Sequence, residues 1–165
     1  MLRLLGKIVL GLGLALLAYF GVRALVYALV SPKTRVRWVV EEMLEGFNEA
    51  RARPVLAGIA QDFVDETSQT RREDLHQVLA WMFLNETDDQ GGFLWHAELV
   101  PESLAITVAE DEQSADVACS VNFAVRRGTE SRAVWDAHFR GTVAETEDGG
   151  QWTRVVEANH RDRRR

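Results

Sequence analysis

Hydrophobic positions along the chain follow three patterns in turn: an almost unbroken apolar run, a stretch of helical periodicity, and a stretch of alternation. The run "LLGKIVLGLGLALLAYFGVRALVYALV" fills most of the first thirty residues, with apolar blocks from Ile8 to Val22 and from Ala24 to Val30 on either side of Arg23. Together the blocks reach the roughly 20 residues that span a bilayer, and Lys7 and Arg23 can snorkel towards an interface. The run outlasts the apolar core of a secretory signal, and no small-x-small cleavage site precedes "SPKTR". A retained single-pass anchor over residues 1–31 is therefore expected, rather than a cleaved signal peptide. Arg3 and Lys7 lie before the run, whereas Arg23, Lys33, Arg35 and Arg37 crowd its far side, so charge bias barely orients it. The soluble domain is placed outside the cytoplasm by a slight preference.

Ser31 and Pro32 form a helix start, a capping hydroxyl followed by a residue whose missing N–H costs nothing there. Val36, Val40, Met43, Phe47 and Ala50 then recur at spacings of four and three, which predicts an amphipathic helix ended by "RARPV". Pro54 opens a short second helix through about Ala60. A third is announced by "TRRE", where Thr70 and Glu73 form a capping box, and Leu75, Val78, Leu79, Met82 and Phe83 supply its buried face.

From Phe93 the period becomes two. Segments 93–100, 104–109, 115–126, 132–145 and 152–159 read as strands joined by "PES", "DEQ", "RGT" and "EDGG", and such short connections predict an antiparallel meander. Three helices followed by long antiparallel strands give an α+β domain, with the helices packed on one sheet face.

The segment "VLAGIAQDFVDETSQTRREDLHQVLAWMF" resembles the nuclear transport factor 2-like superfamily, including its SnoaL-like branch, in which a short helix leads into an Asp-bearing strand and then a third helix. The order of elements over residues 33 to 160 is similar too. The resemblance implies a cystatin-like cone, a curved sheet around the helices whose hollow can be a pocket. It also implies domain limits of 32–160, after the anchor and before a basic tail at 161–165.

Within the strands, Val117, Cys119, Val121, Phe123 and Val125 share one face, as do Ala133, Trp135, Ala137 and Phe139. A slip of one residue would expose every apolar side chain, so these odd-numbered positions are expected to face inwards. A three-residue loop at Arg127, Gly128 and Thr129 sets Phe123 opposite Ala133, Val121 opposite Trp135, Ser120 opposite Asp136 and Asp116 opposite Arg140. An Asp148-Gly149 turn pairs Glu157 with Arg140 and Asn159 with His138. The Asp, His and Arg of "VWDAHFR" then lie on the outer face, solvated or in a homodimer contact, rather than in an active site. Arg154 and His160 fall on the inner face beside Trp135 and Trp152, with Asp62 as a possible partner at the mouth. The candidate ligand-binding set is accordingly Asp62, Cys119, Trp135, Trp152, Arg154 and His160. His96 is expected to point outwards, and His76 to sit at the boundary of the third helix's buried stripe.

Charge and composition narrow the chemistry. A net charge of −6 argues against nucleic-acid binding, despite the closing "RDRRR". The single Cys119 excludes an intramolecular disulfide and reads as a small buried hydrophobe, not a nucleophile. Four scattered His residues offer no paired ligand spacing, and there is no Gly-rich phosphate loop, so no metal or cofactor is expected. The expected function is a membrane-tethered, non-catalytic domain that binds a hydrophobic ligand or serves as an assembly scaffold, with membrane lipid as its partner through the anchor and no nucleic acid. The alternative is a cone-fold isomerase, cyclase or dehydratase using Asp62 and His160 as an acid-base pair. It lacks a phenolic donor for an oxyanion, because Tyr19 and Tyr27 both lie in the apolar run.

Overall fold

The protein, seen in a computed structural model, is described over residues 30–128, 130–146 and 149–162, with side chains through Ala144 and at Gln151. It divides into Met1–Ser31 and Pro32–Arg165. The expected anchor lies outside the described residues, among which no helix is long and apolar enough to cross a membrane.

Helix α1 (Pro32–Asn48) starts at the expected proline and buries Val36, Val40 and Phe47. Its end departs from expectation. The chain leaves the helix at Ala50, whose φ of 54° is left-handed, before the Arg-Pro pair is reached. The Arg51 N–H reaches back to the Gly46 carbonyl at 2.8 Å and the Ala50 N–H to Phe47 at 3.0 Å, so two otherwise orphaned carbonyls are met by the turn. A left-handed conformation burdens an L-residue but not glycine. Ala50→Gly should therefore stabilise the domain by about 0.5–1 kcal/mol in urea denaturation.

Helix α2 (Ala52–Ala57) begins two residues before Pro54, which still falls in the first turn and so forfeits no hydrogen bond. It leads into strand β1 (Ile59–Asp65) and the short β2 (Thr70–Arg71). Helix α3 (Arg72–Asn85) is capped one residue later than "TRRE" suggests: the Asp74 carboxylate, not that of Glu73, accepts the Arg71 N–H at 2.9 Å. Thr70 instead exchanges a hydroxyl hydrogen bond with Ser68. Leu79 is buried and Leu75 and Met82 are half-buried, but Val78 is 52% exposed, a departure from the expected buried stripe.

The remaining strands are β3 (Trp95–Leu99), β4 (Ala105–Val108), β5 (Ser114–Arg127), β6 (Glu130–Thr146) and β7 (Gly149–Asp162), in the sheet order β2-β1-β7-β6-β5-β3. The domain is α+β, with three helices and a mainly antiparallel sheet, but the strands do not form a simple meander. Strands β3 and β4 both pair with β5 and not with each other. "PES" is a 3-10 turn, not a hairpin, and the Ser103 hydroxyl accepts the Ser120 N–H at 2.9 Å while donating to the Val100 carbonyl at 2.7 Å. One side chain thus bridges the step between the two short strands. Among the described residues the one parallel pairing joins β1 to β7.

Register explains which faces look inwards. Arg127 pairs with Glu130 across a two-residue turn, tighter than the expected three-residue loop, and Gly128 takes a φ of +60°. Two-residue turns with positive φ match the twist of paired strands. A bulge between Phe123 and Ala124 then moves the remaining pairs, so that Phe123 faces Trp135, Asn122 faces Asp136, Ser120 faces His138 and Ala118 faces Arg140. This register lies two residues from the expected one, so the inward set from Val117 to Val121 and at Ala137 is unchanged: all are buried or flank buried neighbours. At the tip the bulge reverses the alternation, burying Val134 and exposing Ala133. In the next hairpin Arg140 faces Glu157 and His138 faces Asn159, as expected, and irregularities near Gly141 shift the register so that Thr146 pairs with Gly149.

Candidate functional site

Helices α1, α2 and α3 and the inner sheet face enclose a cavity of about 500 Å³. Its floor comes from the alternating inward positions of the sheet, Ala97, Cys119, Val121, Phe123, Trp135 and Phe139. Its walls are Val40, Met43 and Phe47 of α1, Phe63 of β1, and Leu75 and Leu79 of α3. A volume of this size is that of a small-molecule site. The opening runs along α3, where Val78 and Trp81 line the cavity and yet are 52% and 57% exposed.

The aromatic part of the wall is built around Phe47. Its ring meets those of Phe83, Phe93 and Phe123 edge-to-face, with centroids 5.9, 5.4 and 5.6 Å apart, the favoured geometry for aromatic quadrupoles. Trp135 stacks on Phe123 at 5.0 Å. Among the described lining residues two carry charge, Asp65 and Glu86. Asp65 closes β1, and its two oxygens accept the Thr67 N–H at 2.9 Å and the Ser68 hydroxyl at 2.6 Å. Glu86 follows the last turn of α3 and accepts the indole N–H of Trp95 at 3.1 Å.

The expected ligand-binding residues separate into three groups. Cys119 and Trp135 line the cavity. Asp62 is exposed and absent from the lining; the chain irregularity between Ile59 and Val64 breaks the alternation of β1 and brings Asp65 to the cavity instead. Trp152, Arg154 and His160 pair through their backbones with Val143, Thr142 and Ala137, but their side chains lie outside the described residues. Sequence reasoning passed over Asp65 and Glu86. Asp65 gives no signal beyond lying three residues after Asp62, whereas Glu86 could have been noticed as an acid at the end of a helix that disfavours it.

Burial pushes the Cys119 thiol up to about 11 from its ordinary 9.0. The thiol, not the thiolate, is present at neutral pH, so the residue is a weak nucleophile. Alkylation by iodoacetamide at pH 8 should be slow in the native protein and become fast on unfolding, read by mass spectrometry. Because the raised value favours the protonated folded state, stability should fall as pH rises from about 9 to about 11.

The outer face carries the polar side chains of "VWDAHFR". His138 is exposed, and its Nδ1 lies 2.6 Å from the Ser120 hydroxyl. His96 alternates with the cavity-lining Trp95, and burial followed by the Arg126 charge lowers its pKa. His76 is exposed on α3. Among the described residues no group of acidic, His and Cys side chains could hold a metal ion.

No protein-family model and no curated protein sequence matches the chain. Solved structures do match in fold. A cystatin-like protein of unknown function from Nostoc punctiforme is 12% identical with a TM-score of 0.58, over 77% of this chain and 90% of its own. A nuclear transport factor 2-like protein from Salmonella enterica is 11% identical with a TM-score of 0.57, over 79% and 90%. A candidate scytalone dehydratase from Novosphingobium aromaticivorans is 12% identical with a TM-score of 0.56, over 78% and 85%. The cystatin-like, nuclear transport factor 2-like fold is thereby shown; an activity is not, since one fold hosts many functions.

Proposed function

We propose that the domain binds a hydrophobic small molecule without transforming it, and that the apolar run ending at Val30 tethers it to a membrane. The observation that carries the reading is the cavity of about 500 Å³, whose described lining is apolar and aromatic apart from Asp65 and Glu86. Burial of a ligand there is favourable by about 25 cal/mol per Å² of apolar surface removed from water. An enzymatic reading draws support from Asp65, a carboxylate in an apolar hollow. Both its oxygens already accept hydrogen bonds from the loop that follows β1, which ties the carboxylate to its own turn. Among the described lining residues there is also no His or Tyr to share proton transfer. A homodimer through the outer sheet face remains part of the proposal.

The test uses the full chain in lipid nanodiscs, with empty nanodiscs as the blank. Neutral 3-phenylpropanol should change the fluorescence of Trp81, Trp95 and Trp135, which line the cavity, and saturate it. Cys119→Phe fills the floor and should abolish that response while the variant keeps a cooperative thermal transition. A response unchanged in Cys119→Phe would reject the cavity as the binding site.

A further inference from the structure

We infer that the ligand is an amphiphilic cation, its ammonium group held by Glu86 and Trp95 and its apolar body in the cavity; this rests on the hydrophobic-ligand reading above. Glu86 stands immediately after α3, where the last carbonyls concentrate the negative end of the helix dipole. A carboxylate there is disfavoured, and the last turn of α3 holds no basic residue to offset it. No Lys or Arg occurs anywhere from Glu73 to Val125, and Asp88 and Asp89 follow Glu86 closely. The nearest basic residue before that stretch, Arg72, is committed elsewhere: its guanidinium donates to the Ile59 carbonyl at 3.0 Å and the Leu56 carbonyl at 3.3 Å.

Glu86 lines a cavity whose described lining is apolar and aromatic apart from it and Asp65, and its hydrogen bond from Trp95 comes from a neutral donor. That single bond leaves acceptor capacity on the carboxylate. Trp95 and Trp81, which also line this cavity, supply indole rings, whose faces attract cations, most strongly where water is excluded. Carboxylate, helix C-terminus and indole ring act with the same sign, so the site favours a cation and repels a carboxylate of equal size. Among the described lining residues both charged ones are acidic, and that opposes a fatty-acid-like ligand at this end of the cavity.

Three ligands with one skeleton test this on the full chain in zwitterionic nanodiscs: 3-phenylpropylammonium, 3-phenylpropanol and 3-phenylpropanoate, titrated calorimetrically at pH 7. The ammonium compound should bind at least tenfold more tightly than the carboxylate, with the alcohol between. Glu86→Gln should weaken the ammonium compound about tenfold and leave the alcohol unchanged, which also shows that the cavity survives the substitution. Glu86→Asp should recover part of the loss. Equal or tighter binding of the carboxylate, or an ammonium affinity indifferent to Glu86→Gln, would overturn the charge assignment while leaving the hydrophobic pocket standing. Failure of all three to bind would overturn both.

Discussion

Phe47→Ala should destabilise the domain by about 3–5 kcal/mol, the cost of emptying a buried aromatic site that cannot fully collapse. Phe47 is 8% exposed and joins the two parts of the structure that must stay together, packing α1 against Leu79 and Phe83 of α3 and against Val121 and Phe123 of the sheet. Its three edge-to-face contacts add about 0.5–1.5 kcal/mol each beyond area burial, and Ala removes them together. Phe47→Leu retains most of the volume and should cost clearly less. Urea denaturation of both variants, followed by tryptophan fluorescence, checks the order. The same substitution also removes part of the cavity wall, so binding of 3-phenylpropanol should weaken in Phe47→Ala even under conditions where the variant remains folded. A loss under 1 kcal/mol would mean that α1 is held to the sheet by something other than this ring.

The faces of β5 and β6 were legible because an alternating segment with one buried side tolerates only even shifts of register. The structure moves Trp135 from Val121 to Phe123, two residues away, and every neighbour that matters to the cavity keeps its face. The bulges that produce the shift were not legible, since no residue type marks the extra position opposite Phe123 and Ala124. Strand β1 was invisible to periodicity for the same reason. Its pattern runs Ile59 and Ala60 buried, Gln61 and Asp62 exposed, Phe63 buried, which is neither helical nor alternating, and its partner β7 is more than ninety residues away at Trp152. Only the resemblance implied a strand there. The error over Asp62 follows directly, because an irregular strand does not carry a side-chain face forward by counting in twos.

Serine and asparagine side chains account for the rest of what was missed. Reading "PES" as a hairpin connection assumed that backbone partners complete the sheet, whereas Ser103 supplies the bond at the step between β3 and β4. A hydroxyl that substitutes for a strand leaves no trace in hydrophobic pattern. Position 48 is the stronger example: the helix stripe placed Phe47 in the core and gave its neighbour no role.

Asn48→Ala should cost about 2–4 kcal/mol, more than a surface substitution at a helix end normally does. Strand β3 lies at the edge of the sheet, with β5 on one side only. On the other side Asn48 acts as a one-residue strand: its Nδ2 donates to the Ala97 carbonyl at 2.9 Å, and its Oδ1 accepts the Ala97 N–H at 2.7 Å. Ala97 is 3% exposed, so water does not readily replace the amide, and each buried backbone group left unmet costs about 1–3 kcal/mol. Asn48→Asp retains an acceptor for the N–H but sets a carboxylate against the Ala97 carbonyl, and should be no better than Ala. Hydrogen exchange gives the specific readout, because the Ala97 amide should lose protection in both variants while the Val121 amide, within β5, keeps most of its own. If the Ala97 amide stayed protected in Asn48→Ala, a different group would be closing the edge of β3, and the cavity wall at Ala97 would owe its position to that group instead.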